Sequence, residues 1–232
     1  HARFTNERYS DPFSNAPDGL DLVDRQRPRY NNTFDYAIQV AEAMDATANS
    51  LRIDTASNEE LIAGDVSLSD YDAVFWTSGE ESTADETFNA TEQTLVENYL
   101  SGGGKLFVSG AEIGWDLDNL GGAQDVSFYN NFLRADYVSD DAATYDVQGA
   151  GGSIFAGLSF SFDDGDLFYD VNFPDRINPL GGATTALTYV GGLGGNAAIQ
   201  YDSCESTKVV NLGFPFETIT SEVDRGLVMQ RV

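Results

Sequence analysis

Residues 102–118 read Gly-Gly-Gly-Lys-Leu-Phe-Val-Ser-Gly-Ala-Glu-Ile-Gly-Trp-Asp-Leu-Asp, and this stretch decides the expected fold. A glycine stop precedes a short apolar run, which is followed by the tight glycine Gly110 and then by a polar segment that suits a helix. The pattern predicts a buried strand that ends in a sharp turn. Open α/β sheets bind ligands beyond the carboxyl ends of their strands. The side chain on this turn, Glu112, is therefore the first candidate for function.

A second buried strand is predicted upstream of this one. Residues 73–76 read Ala-Val-Phe-Trp, a continuous apolar run typical of a strand covered on both faces in a parallel sheet. Between the two strands, Asn89 and Glu92 have the spacing of a capping box and open a helical apolar stripe. Strand, helix and strand in this order predict a right-handed crossover and therefore parallel strands. The upstream strand delivers polar residues at its carboxyl end: Glu80, Glu81 and Ser82.

The N-terminal part of the chain is predicted to begin with an irregular loop over residues 1–31. This loop holds five of the 12 basic residues and three prolines, and long loops in compact domains are more often functional than idle. A helix is expected from about residue 33 to 48, capped by Asn32 or Thr33. A short strand at 51–53 and a capped helical turn at 57–62, closed by Gly64, follow.

The second half of the chain changes character. A helix is expected over residues 125–135, and residues 137–201 are rich in glycine and in short β-type runs, which indicate antiparallel hairpins. Residues 207–212 return as a buried strand, which is followed by Gly213-Phe214-Pro215-Phe216-Glu217, and Ser221 caps a last helix. The expected strands inside the β-rich insertion are 144–147, 154–162, 167–173, 186–190 and 197–201.

Together these elements predict one α/β domain over residues 1–232. Its core would be a three-layer, flavodoxin-like, mostly parallel sheet, with a β-rich and glycine-rich second half. No first strand precedes the first helix, and the last apolar stripe still runs at Val232. We therefore expect the chain to be part of a longer polypeptide.

The strongly negative net charge of the chain makes some classes of binding partner unfavourable. It has 38 acidic and 12 basic residues, a net charge of −26 and a pI near 4.1. Such a field repels phosphate backbones and anionic lipids, so nucleic acid is not expected as a partner. A single cysteine, Cys204, excludes an internal disulfide and a cysteine-based zinc site. No apolar run is long enough to insert into a membrane, and the acidic surface suits an extracellular or cell-surface setting.

The order of elements and three motifs resemble the class I glutamine amidotransferase-like superfamily. The motifs are Gly79-Glu80-Glu81-Ser82-Thr83, Ser109-Gly110-Ala111-Glu112-Ile113-Gly114-Trp115-Asp116 and Gly213-Phe214-Pro215-Phe216-Glu217. They are most similar to the degenerate amidotransferase-like domain of secreted multidomain bacterial proteins labelled xanthan lyase or cell-wall amidase. The resemblance covers roughly residues 33–232 and implies neighbouring domains of the same polypeptide or assembly as partners.

The resemblance also implies that the family's chemistry is lost. Glu112 occupies the position of the nucleophilic cysteine, and Pro215 occupies the position of the histidine. Only the glutamate of that motif, Glu217, is kept. Proline cannot transfer protons, and Glu112 has no adjacent imidazole. The only histidine of the chain, His1, is at its start. We therefore expect a pseudoenzyme.

Three interpretations of the remaining acidic residues stay open. In the first they are the remains of a dead site and bind turn amides and helix N-termini. In the second they hold a hard divalent cation such as Ca²⁺ or Mg²⁺. Asp163-Asp164-Gly165-Asp166 is a weaker candidate for Ca²⁺, because an acidic hairpin turn explains this segment better. In the third, Glu112 and one of Glu80, Glu81 or Glu217 act as acid and base on a glycosidic bond, with Trp115 or Trp76 stacked on the sugar. The full candidate set is Glu112 and Glu217 for catalysis, Glu80, Glu81, Ser82, Trp115 and Asp116 for ligand binding, and Asp118, Asp163, Asp164 and Asp166 for metal.

The function expected from these observations is a non-catalytic interaction or structural module, with polysaccharide or a cation as its ligand. The alternative is a carbohydrate-active hydrolase or lyase that uses Glu112 with a second carboxylate. Apart from Ca²⁺, no cofactor is indicated.

Overall fold

The computed structural model describes residues 8–9, 23–24, 34–47, 52–84, 86–163, 165, 167–204 and 206–232. Most of the predicted loop 1–31 lies outside these residues, as does the predicted cap at Asn32 or Thr33. Two dipeptides of the loop are described, Arg8–Tyr9 (β1) and Val23–Asp24 (β2), and they pair antiparallel.

The helices follow local signals in the sequence. The Asn89 side chain accepts hydrogen bonds from the backbone N–H groups of Thr91 (2.9 Å) and Glu92 (3.1 Å), and the Glu92 carboxylate accepts one from Asn89 N–H (2.7 Å). The predicted capping box is therefore confirmed. Gly64 ends α2 with a φ of 80°, a left-handed conformation that favours glycine. The helices are α1 (Phe34–Asp45), α2 (Asn58–Ala63), α3 (Ala90–Ser101), α4 (Ala123–Asn131) and α5 (Glu222–Met229).

Seven strands form one mixed sheet and two form a separate small one. The order in the large sheet is β3-β4-β11-β10-β9-β6-β7, and β5 pairs with β8. The strands are β3 (Val74–Gly79), β4 (Lys105–Gly110), β5 (Ala135–Ser139), β6 (Asp146–Gly149), β7 (Ser159–Ser161), β8 (Arg176–Pro179), β9 (Thr184–Tyr189), β10 (Asn196–Asp202) and β11 (Lys208–Leu212).

The predicted fold class is wrong. Among the described strands of the large sheet, only β3–β4 and β4–β11 pair in parallel, and every other pairing is antiparallel. The sheet is therefore mixed, and the molecule is not a flavodoxin-like three-layer fold. The apolar runs correctly marked buried strands, but a run does not specify the direction of its neighbour. The strands of the second half of the chain extend the same sheet, and the antiparallel pairings that they add outnumber the parallel ones.

The parallel strands are buried on both faces. On β4, Leu106 and Val108 pack in one apolar cluster with Val96 of α3, whereas Phe107 packs in a second cluster with Met44 of α1 and Val228 of α5. Successive side chains of a strand point to opposite faces, so a continuous apolar run serves two cores at once. This packing fixes the carboxyl ends of β3, β4 and β11 side by side.

Several predicted elements differ from the observed ones. The helix predicted over 125–135 ends at Asn131, and residues 135–139 form β5 instead. Residues 52–57 contain no strand, although one was predicted at 51–53. The strand predicted at 167–173 is absent from the described backbone, because the Asp163 carboxylate accepts the N–H groups of Gly165, Leu167 and Phe168. Those amides are used locally and are not available to a sheet.

Candidate functional site

The turn after β4 has the tight geometry that the sequence indicates. A Cβ on Gly110 would lie 2.9 Å from the Ile113 side chain and 3.0 Å from Ser78 Cβ, so only glycine fits without displacing them. Ala111 N–H donates to the Gly79 carbonyl of β3 at 2.9 Å. A helical turn starts at Ile113 and continues as a π-helical segment over Trp115–Leu120. We call residues 110–115 the elbow.

Glu112 stands on the elbow, half-buried. The Ser82 hydroxyl, at the end of the neighbouring strand, donates a hydrogen bond to its carboxylate. Burial raises the pKa of Glu112, the Ser82 bond partly offsets this rise, and the charges of Asp140 and Asp116 add to it. The expected juxtaposition of residues from the ends of β3 and β4 is therefore present.

Glu80 is the most perturbed of the half-buried acids. Burial raises its pKa to about 8, against a partial opposing effect of the hydrogen bond from Asn172 N–H. The charges of Glu112, Asp170 and Glu217 contribute to this rise in pKa. Four carboxyl groups from four segments of the chain thus influence one region, and the raised pKa of Glu80 favours its protonated form near neutral pH.

Glu217 lies beneath this region with no exposed surface. Its Oε1 atom accepts a hydrogen bond of 2.6 Å from the Tyr169 hydroxyl, whereas Oε2 has no hydrogen-bond partner among the described residues. Burial raises the pKa of Glu217 to about 7, and the Tyr169 bond counteracts part of that rise. Glu217 is therefore a buried neighbour of Glu80.

Asp175 was not predicted, yet it lies directly under the elbow. Its Oδ2 atom accepts hydrogen bonds from the backbone N–H groups of Gly114 (2.7 Å) and Trp115 (3.3 Å). The residue is 1% exposed, and its Oδ1 atom has no partner in the described part of the chain. Burial raises the pKa of Asp175 well above its usual value. No sequence signal marks it, because Asp175 follows Pro174 in an irregular segment 61 positions beyond Gly114.

Three other candidate acids make structural hydrogen bonds. Asp116 Oδ2 accepts hydrogen bonds from Thr87 N–H (2.9 Å) and from the Thr87 hydroxyl (2.8 Å). These bonds connect the helical segment that follows the elbow with the loop after β3. Asp118 Oδ2 accepts from Tyr137 N–H at 2.7 Å. Asp163 is fully buried and orders its own turn through backbone amides. These bonds are of the kind that the first interpretation expects.

The two tryptophans have different surroundings. Trp115 is half-buried and meets Tyr137 edge-on, with ring centroids 6.1 Å apart. Burial raises the pKa of Tyr137 to about 12, and the charges of Asp175, Asp140 and Glu112 contribute to this rise. Tyr137 is therefore close enough to these acids to be affected by their charge. Trp76 stacks on Phe88 at 4.6 Å and belongs to a core cluster. Trp115 is therefore the aromatic residue of the elbow.

A cavity of about 280 Å³ lies along the open side of β3, away from the elbow. Met44, Arg52, Asn58 and Trp76 contribute to its walls. Glu81 is the candidate acid in its lining, whereas Glu80, Glu112 and Glu217 are absent from it. The cavity and the acidic region are thus two different places, and the perturbed acids identify the elbow as the better candidate.

The described residues contain no group of three or more His, Cys, Asp or Glu side chains placed to hold a metal ion. Asp164 and Asp166, proposed with Asp163 and Asp118 as metal ligands, lie outside the described residues. No described helix combines the length and apolar character that a bilayer crossing requires.

Comparisons with known proteins give only distant likenesses. No family model matches the chain, and no curated protein does. Among solved structures, it is similar to the exo-β-1,4-mannosidase Op5Man5 from Opitutaceae bacterium strain TAV5, with 15% identity and a TM-score of 0.45. That alignment covers 87% of this chain but 32% of the mannosidase, so the chain spans about a third of its length. The mmIFT52 N-terminal domain aligns with 18% identity and a TM-score of 0.43, over 78% of this chain and 85% of that one. With TM-scores this low, neither likeness supports a functional conclusion for this chain.

Proposed function

We propose that this chain is a non-catalytic interaction module of an extracellular or cell-surface protein. Its ligand surface is the elbow together with the residues after β3, and its ligand is a polysaccharide. The module is a degenerate relative of the glutamine amidotransferase-like superfamily; this kinship rests on the three sequence motifs, with neighbouring domains as further partners.

The observation that carries this proposal is the position of Asp175. Acyl-transfer enzymes with a nucleophile on such a turn need free backbone N–H groups near it to stabilise a developing oxyanion. Here the amides of Gly114 and Trp115 already bind the Asp175 carboxyl group. A buried acceptor fills the first turn after Glu112, and Pro215 stands where a proton-transferring histidine is needed. The elbow therefore lacks the donors and the base of a catalytic site, but it retains an acceptor-rich surface.

The half-buried residues of the elbow suit sugar binding. Glu80 and Glu112 provide carboxyl groups, Ser82 a hydroxyl group, and Trp115 with Tyr137 two half-buried aromatic rings. Binding sites for small ligands combine apolar and aromatic surface with a few convergent polar groups. Sugars present both hydroxyl groups and C–H faces, so this mixture matches their chemistry.

The test is a binding and turnover experiment on the same samples. The protein is incubated with neutral, cationic and anionic polysaccharides; affinity electrophoresis measures retention, and reducing-end and unsaturated-product assays measure cleavage. We expect retention by at least one polysaccharide without cleavage, and weaker retention for Trp115→Ala. Tyr201→Ala is the control, because Tyr201 is also half-buried but lies at the opposite end of the sheet. Cleavage, or no retention on any polymer, contradicts the proposal.

A second candidate function is a glycosidase, which one observation favours. A protonated Glu80 beside Glu112 resembles the acid and carboxylate pair of glycoside hydrolysis, in which burial and a like charge keep one group protonated. This candidate predicts cleavage that disappears in Glu112→Gln while binding persists. Unchanged cleavage in that variant excludes Glu112 as the catalytic group.

A further inference from the structure

The strand β3 lies at an edge of the large sheet but has the sequence of an interior strand. Among the described strands it pairs with β4 alone. Val74–Gly79 contains neither a charged residue nor a proline, although such residues usually protect an edge against further pairing. Residues 74–76 form a continuous apolar run, yet they are only half-buried, whereas residues 106–108 of β4 are buried. The outer side of β3 therefore lacks a neighbouring strand in the described part of the chain.

The cavity of about 280 Å³ lies against this outer side and in the plane of the sheet. Residues 73–77 form one of its walls, and residues 52–58 form another. Val40 of α1, which also lines the cavity, belongs to one of the two apolar clusters, and Leu61 of α2 belongs to the other. Successive residues of β4 alternate between these clusters, so the clusters lie on opposite faces of the sheet. The cavity touches both clusters and thus continues the layer of the strands.

Backbone groups on two sides of the cavity have no hydrogen-bond partner among the described residues. Residues 52–56 form no helix or strand, and none of their backbone N–H or carbonyl groups is hydrogen-bonded within the described chain. A strand such as β3, paired on one side, leaves a row of N–H and carbonyl groups on the other. Ser57 Oγ, in the same wall as residues 52–56, is buried and also lacks a described partner. An extended polypeptide offers donors and acceptors along both of its edges, so it matches both walls.

The charge of this part of the chain defines the chemistry of the strand that fits. Residues 34–104 contain 15 acidic residues and a single basic one, Arg52. The guanidinium of Arg52 already pairs with the Asp54 carboxylate at 3.3 Å. Asp70 and Asp72 are exposed directly before β3. A partner with basic residues is attracted to this surface, and an acidic partner is repelled.

We propose that the outer edge of β3 binds an extended peptide strand of a protein partner, apolar in its middle and basic at its ends. The strand enters the cavity, pairs with the backbone of β3 and becomes the next strand of the sheet, which is the recognition mode called β-strand addition. Its side chains meet the apolar clusters on both faces of the sheet, so both faces of the strand are apolar. This surface is separate from the elbow. The inference therefore goes beyond the proposed function and does not depend on saccharide binding.

The probe is a synthetic peptide with a central run of five alternating valine and isoleucine residues and two lysines at each end. Its central run spans about 17 Å when extended, close to the length of β3. Two further forms carry N-methyl groups on alternate central residues, so each form lacks the donors of one edge but keeps the side chains and charges. Isothermal titration calorimetry at about 0.15 M salt measures the three affinities. We expect at least one N-methylated form to bind about tenfold or more weakly than the parent, and the same loss when glutamates replace the lysines.

A matched pair of substitutions on α1 tests whether the peptide occupies the cavity. Ala37 lines the cavity, and Ala41 is equally half-buried on the same helix but lies outside the lining. Ala37→Phe should weaken binding about tenfold or more because its ring takes up cavity space, whereas Ala41→Phe should not. Circular dichroism melting checks that both variants are folded.

Tryptophan emission locates the bound peptide independently. Trp76 lines the cavity and Trp115 lies at the elbow, and the chain has no other tryptophan. In Trp115→Phe we expect the emission of Trp76 to change as the peptide is added. In Trp76→Phe the emission of Trp115 should stay constant.

Equal affinity for the parent peptide and both N-methylated forms overturns the inference, because the peptide then does not pair through its backbone. Equal effects of Ala37→Phe and Ala41→Phe, or a response of Trp115 alone, overturn it as well. A chain that sediments as a dimer and does not bind the peptide assigns the edge to a second copy and contradicts the proposed partner. Equal affinity for the glutamate form overturns the requirement for basic ends. None of these outcomes changes saccharide retention, so the proposed function is tested separately.

Discussion

At the scale of single residues, Asp175 determines what the elbow can do. Its buried carboxyl group accepts hydrogen bonds from the backbone N–H groups of Gly114 and Trp115. The residue lies in a segment with no recognisable sequence pattern. Sequence reasoning placed Glu112, Glu80 and their strands correctly because a strand end is a local property. It missed Asp175 because the contact joins residues that are distant in the chain.

Two substitutions of Asp175 separate the contribution of its hydrogen bonds to stability from the contribution of its charge. Burial raises the pKa of this carboxyl well above its usual value. Asp175→Asn keeps an acceptor at the same position, so we expect a loss of about 1 kcal/mol or less. Asp175→Ala leaves two buried N–H groups without a partner, at a cost of roughly 3 kcal/mol. Urea unfolding at neutral pH measures both. Equal losses in the two variants would mean that the amides find another acceptor.

Glu217 should make stability depend on pH. Its folded pKa, about 7, lies above the ordinary value of 4.5, so the fold binds the proton more tightly than the unfolded chain does. Its contribution is therefore complete below about pH 4.5 and is lost as pH rises through about 7, with an upper limit of about 3 kcal/mol. Glu217→Gln cannot ionise, so between about pH 5 and pH 8 it should lose less unfolding free energy than the natural chain.

The control for this experiment is Glu97→Gln on α3, which should follow the natural chain at both pH values. Other buried acids also titrate, so the relevant quantity is the difference between the two variants. Parallel curves for Glu217→Gln and Glu97→Gln would show that Glu217 is ionised in the fold at low pH.

At the scale of elements, the parts of the structure with local signals were predictable and the pairings were not. The capping box of α3, the glycine end of α2 and the strands β3, β4 and β11 follow from residue patterns. The fold class does not, because the antiparallel partners of β11 and β10 are chosen by tertiary packing. Asp163 shows a further limit, because its buried carboxylate accepts the N–H groups of Gly165 and Leu167 that a sheet would otherwise use.

The start of α3 offers a test at this scale. Asn89→Ala removes the side chain that accepts from Thr91 and Glu92 N–H, and we expect a loss of about 1 kcal/mol in unfolding free energy. Asn98→Ala, an exposed change late in the same helix, is the control and should be close to neutral. A loss of similar size in both variants would contradict the capping role of Asn89, because alanine is the better helix former and propensity alone predicts a gain.

At the scale of the whole molecule, the dominant property is its charge of −26. Repulsion among carboxylates opposes the compact state, and salt screens it over about 10 Å at 0.1 M. We therefore expect the thermal unfolding midpoint to rise between about 0.02 M and 0.5 M sodium chloride. Differential scanning calorimetry measures the midpoint, and potassium glutamate at equal ionic strength controls for chloride binding. A constant or falling midpoint would contradict this expectation.

The position of β11 has a consequence for how the chain reaches its fold. It lies between β4 and β10, and Val209 pairs with Leu106, roughly a hundred residues earlier, a long separation that slows folding. During synthesis, β3 and β4 emerge long before the strand that connects them to the rest of the sheet. Until β11 has been synthesised, the apolar edge of the β3–β4 pair has no partner strand. We therefore expect the nascent chain to be most prone to aggregation, and most in need of a chaperone, before residue 212 leaves the ribosome.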